Sequence, residues 1–298
     1  MPRRFVTLDV FTDTALTGNP LAVVLDAEDL DTAAMQALAA EFNLSETVFV
    51  LPPETPRHRA RMRIFTPTSE LPFAGHPTLG TAILLALRDQ RAGLTDAMAF
   101  GLEAPLGTLA CVVEPGEGRG TGRFKMPGLP EYLGEGPETN LVAAALGLEP
   151  GEIGFARHVP SRHRTGPSFL FVPLASRAAL DRARVVPAAL DDLGTPAALY
   201  CYTLNPEQVG HRYQARMFAP HLGVPEDPAT GSAAAAFAGV MMQFEPLGDG
   251  EHDIVLRQGV AMGRPSTIGV QLVIEAGALR SVEISGAAVL VSEGTLLV

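Results

Sequence analysis

The sequence carries one pattern twice. Arg63-Ile-Phe-Thr-Pro67 is followed, after eight residues, by His76-Pro-Thr-Leu-Gly80-Thr81-Ala82. Arg216-Met-Phe-Ala-Pro220 is followed, after six, by Asp227-Pro-Ala-Thr-Gly231-Ser232-Ala233. Each copy reads as strand, loop, proline in the first helical turn, helix. The helices so marked, 77–87 and 228–242, are apolar nearly all the way round. Such a helix has no face to give to water and must be buried on every side. One buried helix per half restricts the chain to two related halves, each a sheet curled round its own helix, and points to gene duplication.

Short strand-like runs supply the sheets. They lie at 5–11, 21–25, 47–51, 61–65 and 106–113, then at 169–172, 198–204, 213–218, 254–256, 270–274, 281–284 and 288–291. Each is rich in β-branched or aromatic residues between Gly and Pro. Asp31 is a plausible cap for one more helix, with Met35, Leu38, Ala39 and Phe42 on one face. A length of 298 residues suits two domains. The Gly/Pro-rich stretch 114–122 reads as the linker, giving an N-terminal domain 1–115 and a C-terminal domain 122–280. The expected class is α+β.

The net charge of −11 and the lack of a Lys/Arg cluster argue against nucleic acid and anionic membrane as partners. Arg3-Arg4-Phe5 opens an alternating run and not an apolar signal segment, and no stretch nears the roughly 18 apolar residues that span a bilayer. A cytoplasmic protein is expected. Two cysteines, Cys111 and Cys201, are too few for a thiolate zinc site or a disulfide scaffold. The single lysine, Lys125, sits at a strand end, which argues against pyridoxal chemistry. No dinucleotide, P-loop, hydrolase-elbow or zinc-protease motif occurs. His58, His158, His163, His211, His221 and His252 show no ligand spacing. No metal and no cofactor is therefore expected.

Two helix N-termini facing one cleft would offer unpaired N–H groups and positive dipole ends to a small carboxylate. Asp227 before Pro228 fits either a helix cap or a polar group in that cleft. His76 is a poor cap, so it is either a satisfied structural histidine or a group kept for proton chemistry. Thr81 and Ser232 either bond back to the preceding turn or donate into the cleft. Glu46, where a loop becomes an apolar strand, is either a solvated carboxylate or a buried acid/base.

Taken together, Gly18-Asn-Pro-Leu-Ala-Val23, Asn43-Leu-Ser45-Glu46-Thr, Arg63-Ile-Phe-Thr-Pro67, Leu71-Pro-Phe-Ala-Gly75-His76-Pro-Thr-Leu-Gly80, Asp227-Pro-Ala-Thr-Gly231-Ser232 and Gln258-Gly259-Val-Ala-Met-Gly263-Arg264-Pro-Ser266 resemble the phenazine-biosynthesis PhzF-like family. The resemblance runs from residue 5 to the last strands. It implies the diaminopimelate-epimerase-like fold, with two pseudo-symmetric domains, each an antiparallel sheet wrapped round a central helix. It also implies that C-terminal strands, about 281–298, cross back to complete the first domain. In that family one Glu, matched by Glu46, shuttles a proton within the substrate, and the residues matched by His76, Asp227 and Ser232 position or protonate it. Ser45, Gly75, Gly231 and Ser232, in the same motifs, are the expected substrate-binding residues.

The wider superfamily's racemases place a cysteine at each helix mouth. Here those loops read Phe73-Ala-Gly-His76 and Ala229-Thr-Gly-Ser232, without a thiol. The expectation is a cofactor-independent isomerase of a small carboxylate, similar to dihydro-hydroxyanthranilate isomerases and acting as a homodimer. The alternatives are a non-catalytic interaction protein that keeps the fold, and an epimerase or dehydratase of a small amino acid.

Overall fold

The computed structural model describes residues 2–90, 96–194, 198–205 and 211–298. In chain order the elements are β1 (Arg3–Val10), β2 (Asn19–Val24), α1 (Thr32–Phe42), β3 (Glu46–Leu51), β4 (Ala60–Phe65), β5 (Glu70–Leu71), α2 (Gly75–Asp89), β6 (Met98–Ala104), β7 (Gly107–Pro115) and β8 (Arg119–Lys125). Then follow β9 (Glu131–Glu135), α3 (Thr139–Leu146), β10 (Ser161–Arg164), β11 (Ser168–Pro173), α4 (Arg177–Arg182), α5 (Pro187–Leu190), β12 (Ala198–Leu204), β13 (His211–Ala219), β14 (Val224–Asp227), α6 (Gly231–Phe244), β15 (Gly250–Gln258), β16 (Ser266–Glu275) and β17 (Ala278–Leu296). The chain divides into two compact units, one of Met1–Pro127 with Glu283–Val298 and one of Gly128–Val282.

In the first unit the strands pair in the order β1, β2, β3, β4, β6, β7, β8, β17, and β17 returns to β1. The sheet is thus a closed, barrel-like ring, and closure leaves no bare edge. β17 makes it by bonding β8 through 283–289 and β1 through 288–296. Residues 75–86 of α2 are buried, and the helix packs on β1, β2, β3, β6, β7 and β8. Gly80 lets the strands close in, since a Cβ there would lie 2.7 Å from both Leu21 Cδ2 and Val10 Cγ2. α1 covers the other face of the sheet. Asp31 caps it through Ala34 N at 2.8 Å, and Met35, Leu38 and Ala39 pack on Val24, Phe49, Leu51 and Phe65. Thr47–Leu51 is buried without alternation because β3 lies between two helices.

The second unit follows the same plan. β9, β10, β11, β12, β13, β15 and β16 pair in that order. α6 is buried along nearly its whole length, and Phe237 on it meets the rings of Phe171, Tyr200, Tyr202 and Tyr213.

Several sequence expectations need correction. The sheets are mixed, not antiparallel: β2–β3, β4–β6, β11–β12 and β13–β15 are parallel. A helix stands in the connection across each pair, as a parallel crossover requires. The stretch 114–122 is no linker but the β7–β8 hairpin, and the first unit runs on to Pro127. The strands β5, β6, β9, β10 and β14 and the helices α3, α4 and α5 were not anticipated, and the runs 281–284 and 288–291 are one strand.

The repeated Arg-x-Phe strand and helix start stand in a different register from the one the residue types suggest. α2 begins at Gly75 and α6 at Gly231, so His76 corresponds to Ser232, not to Asp227. The Arg-x-Phe strands confirm this shift. Arg63 stacks on Phe65 and forks onto Glu70, five residues before Gly75. Arg216 stacks on Phe218 and forks onto Glu226, five residues before Gly231. The second copy has three more residues between its Arg and Glu, and these displaced the alignment. Asp227 is therefore not the cap of α6. It ends β14, and Thr230 holds the cap position.

Candidate active site

In the first unit the site is built at the start of α2. His76 is the second residue of that helix and is 3% exposed. Its Nε2 lies 3.4 Å from Glu46 Oε2. Glu46 is the first residue of β3, opposite Leu21 of β2, on the face that meets α2. Its side chain keeps 17% of its exposure, so it is no solvated surface carboxylate. Asn19, the first residue of β2, is fully buried and sits 3.3 Å from the other imidazole nitrogen, Nδ1. With the amide donating to Nδ1, the ring proton is on Nε2 and faces the Glu46 carboxyl. Burial pushes the His76 imidazole down to about 3, so it is neutral at pH 7.

Asn19 was missed as a site residue. The signal for it was present in Gly18-Asn19, because Gly18 has φ +67° and a Cβ there would meet Val10 O at 2.4 Å. That left-handed turn fixes how the chain enters β2 and so aims Asn19.

Ser45 precedes β3 and is half-buried, while Gly75 is the first residue of α2 and is buried. Ala74, at the cap position, gives no side-chain bond. Gly75 and His76 supply the first N–H groups of this 15-residue helix, at the positive end of its dipole, and Pro77 has none. Thr81 does not reach that end; it lies two turns into the buried part of α2.

In the second unit Gly231 and Ser232 open α6, both buried, and Asp227 closes β14. Thr230 is of a type that caps well, yet it makes no cap bond. Its hydroxyl instead donates to Asp227 Oδ2 at 2.6 Å. Gln258, at the end of β15 and fully buried, bonds both Thr230 and the Asp227 carbonyl. Thr230 and Gln258 were likewise not anticipated: Gln258 reaches its partners across 28 and 31 positions, and Thr230 occupies a cap position while bonding backward to Asp227.

Cys111 and Cys201 are buried in β7 and β12, away from both helix starts in sequence, and burial pushes each thiol up to about 12. Among the described residues no group of three His, Cys, Asp or Glu side chains is placed to hold a metal ion. No described helix is long and apolar enough to cross a membrane.

Comparison with known proteins agrees with the motifs. A family model described as phenazine biosynthesis-like protein matches residues 8–294. An uncharacterized isomerase of Mesorhizobium japonicum is 45% identical over 99% of both chains. A trans-2,3-dihydro-3-hydroxyanthranilate isomerase of Pseudomonas chlororaphis is 37% identical over 98% of this chain and 99% of its own. The crystal structure of a PhzF-family phenazine biosynthesis protein from Bacillus anthracis shares the fold, with a TM-score of 0.87 over 100% of both chains at 24% identity.

Proposed function

The chain belongs to the phenazine biosynthesis-like family and is an isomerase, and from that premise we propose that it moves a proton within a small carboxylate substrate by a single-Glu mechanism that needs no cofactor. Glu46 takes the proton from an activated carbon and returns it to a conjugated position. The observation that carries this reading is the contact of Glu46 with a buried, neutral imidazole. A neutral Nε2–H can donate to the carboxylate, or hand a hydrogen bond to the substrate, without trapping Glu46 as a permanent ion pair. The uncapped start of α2 suits the substrate carboxylate. Ser45, Gly75, Gly231 and Ser232 are assigned to substrate binding, and Asp227 to the chemistry, on the motifs they share with the family.

The fold reading that goes with it is a duplicated domain, each copy a sheet wrapped round one helix. It is supported by the common strand order and by the repeated Arg–Phe–Glu cluster. The epimerase alternative of the two-thiol kind is disfavoured by buried thiols far from the ionising range. The substrate to try first is the dihydro-hydroxyanthranilate named for the Pseudomonas relative. Turnover in deuterium oxide should place at most one solvent-derived deuteron in the product, and does so when the Glu46 carboxyl exchanges with solvent before the proton is returned. Failure to turn over that compound and other small unsaturated carboxylates would leave the interaction-protein reading in its place.

A further inference from the structure

The turn between β14 and α6 holds a closed hydrogen-bonded ring whose proton directions are determined. Gln258 Oε1 accepts from the Thr230 backbone N–H at 3.2 Å, and Gln258 Nε2 donates to the Asp227 carbonyl at 2.8 Å. A backbone N–H can only donate and a carbonyl can only accept, so the amide has one possible orientation. Nε2 then also donates to Thr230 Oγ1 at 2.9 Å. The hydroxyl accepts there, and its own proton goes to Asp227 Oδ2 at 2.6 Å. Gln258 is 0% exposed, Asp227 7% and Thr230 8%.

We propose that Thr230, itself oriented by Gln258, is a positioning residue that holds the Asp227 carboxylate in one rotamer and in its ionised form. A local cap would have used the same hydroxyl to stabilise α6. The chain gives up that bond, and the hydroxyl serves the carboxylate instead. The ring works through a fixed backbone. Gly259, next to Gln258, has φ +75°, and a Cβ there would meet Pro228 O at 2.7 Å. Titratable and charged neighbours also lie near the ring. Tyr200 of β12 shares the Asp227 face through the register Tyr200, Met217, Asp227, and its buried hydroxyl has no partner among the described residues. Arg216 and Glu226 are spent on each other. Arg257, beside Gln258, alternates to the exposed face of β15.

This inference rests on the reading that Asp227 takes part in turnover, but its test needs no substrate. Carboxyl-carbon NMR of the aspartate-labelled full chain, with Asp227 assigned by Asp227→Asn, follows the titration of that one group. In Thr230→Val, which keeps the shape and loses the donor, the Asp227 midpoint should move upward. Thr230→Ser should restore it, and Gln258→Leu should move it the same way by less. Coincident midpoints in the wild type and Thr230→Val overturn the proposal, and Thr230→Ala serves the same comparison should valine pack badly. A purely structural role for Thr230 would lower thermal stability without moving the titration. An error in the role of Asp227 shows separately, as full turnover in Asp227→Asn.

Discussion

His76 Nε2 stands 3.4 Å from Glu46 Oε2, although 30 positions separate the two residues in the chain and one is on a helix and the other on a strand. The contact exists because β3 runs past the first turn of α2 with Glu46 on its inner face. We propose Glu46 as the acid/base on the strength of this contact, since a group that shuttles a proton needs a polar partner nearby and little competing water.

Glu46→Gln should lower turnover by at least about 10² to 10⁴, the range of positioned acid/base groups. The fold should survive, because the amide fills the same space at a strand end. Solvent-deuterium incorporation into product, compared with wild type, is the measurement. Normal exchange in the Gln variant would remove Glu46 from the mechanism.

Stability should fall as the solution is acidified from about pH 6.5. The His76 imidazole is held at about 3 by burial, below its unfolded value near 6.5. Between those values the unfolded chain binds the extra proton, so folding stability rises with pH across that window, by up to about 1.4 kcal/mol per unit. His163, held at about 4, and His158, also lowered, act in the same direction. Urea unfolding at several pH values should show a shallower slope in His76→Gln than in the wild type. Parallel slopes would mean that His76 is not buried neutral.

Both thiols should be silent in the native protein. Cys111 and Cys201 are 2% and 0% exposed, with their thiols pushed up to about 12. A thiol-reactive chromophore at pH 8 should label neither until denaturant is added, and then both. Rapid labelling of either in the folded state would contradict its burial.

Gly259→Ala should destabilise by roughly 1–3 kcal/mol, the range for a strained backbone position. The residue has φ +75°, and a Cβ would meet Arg264 O at 2.3 Å and Pro228 O at 2.7 Å, both backbone atoms that cannot step aside cheaply. Gly118→Ala provides the control, since φ there is +66° but no atom lies within 4 Å. Calorimetry should show the larger loss at Gly259. Equal losses would mean that only the dihedral matters.

The features legible in the sequence were those that depend on neighbours along the chain. Asp31 capping α1, the all-round apolarity of α2 and α6, and Glu46 at a loop-to-strand junction all come from local spacing. So does the repeat of Arg-x-Phe followed by Gly at a helix start, a pair of short patterns. Its register was not legible. The residue types His76-Pro77 and Asp227-Pro228 align well, but the bidentate pairs Arg63–Glu70 and Arg216–Glu226 show that three extra residues sit between. Nor did the sequence reveal the parallel pairs β2–β3 and β13–β15, or the bonds Asn19–His76 and Gln258–Asp227 across 57 and 31 positions. A helix is held by bonds four residues apart and leaves its period in the sequence. Strand partners and buried polar contacts are chosen by which surfaces close on one another, and that choice is made only when the whole sheet forms.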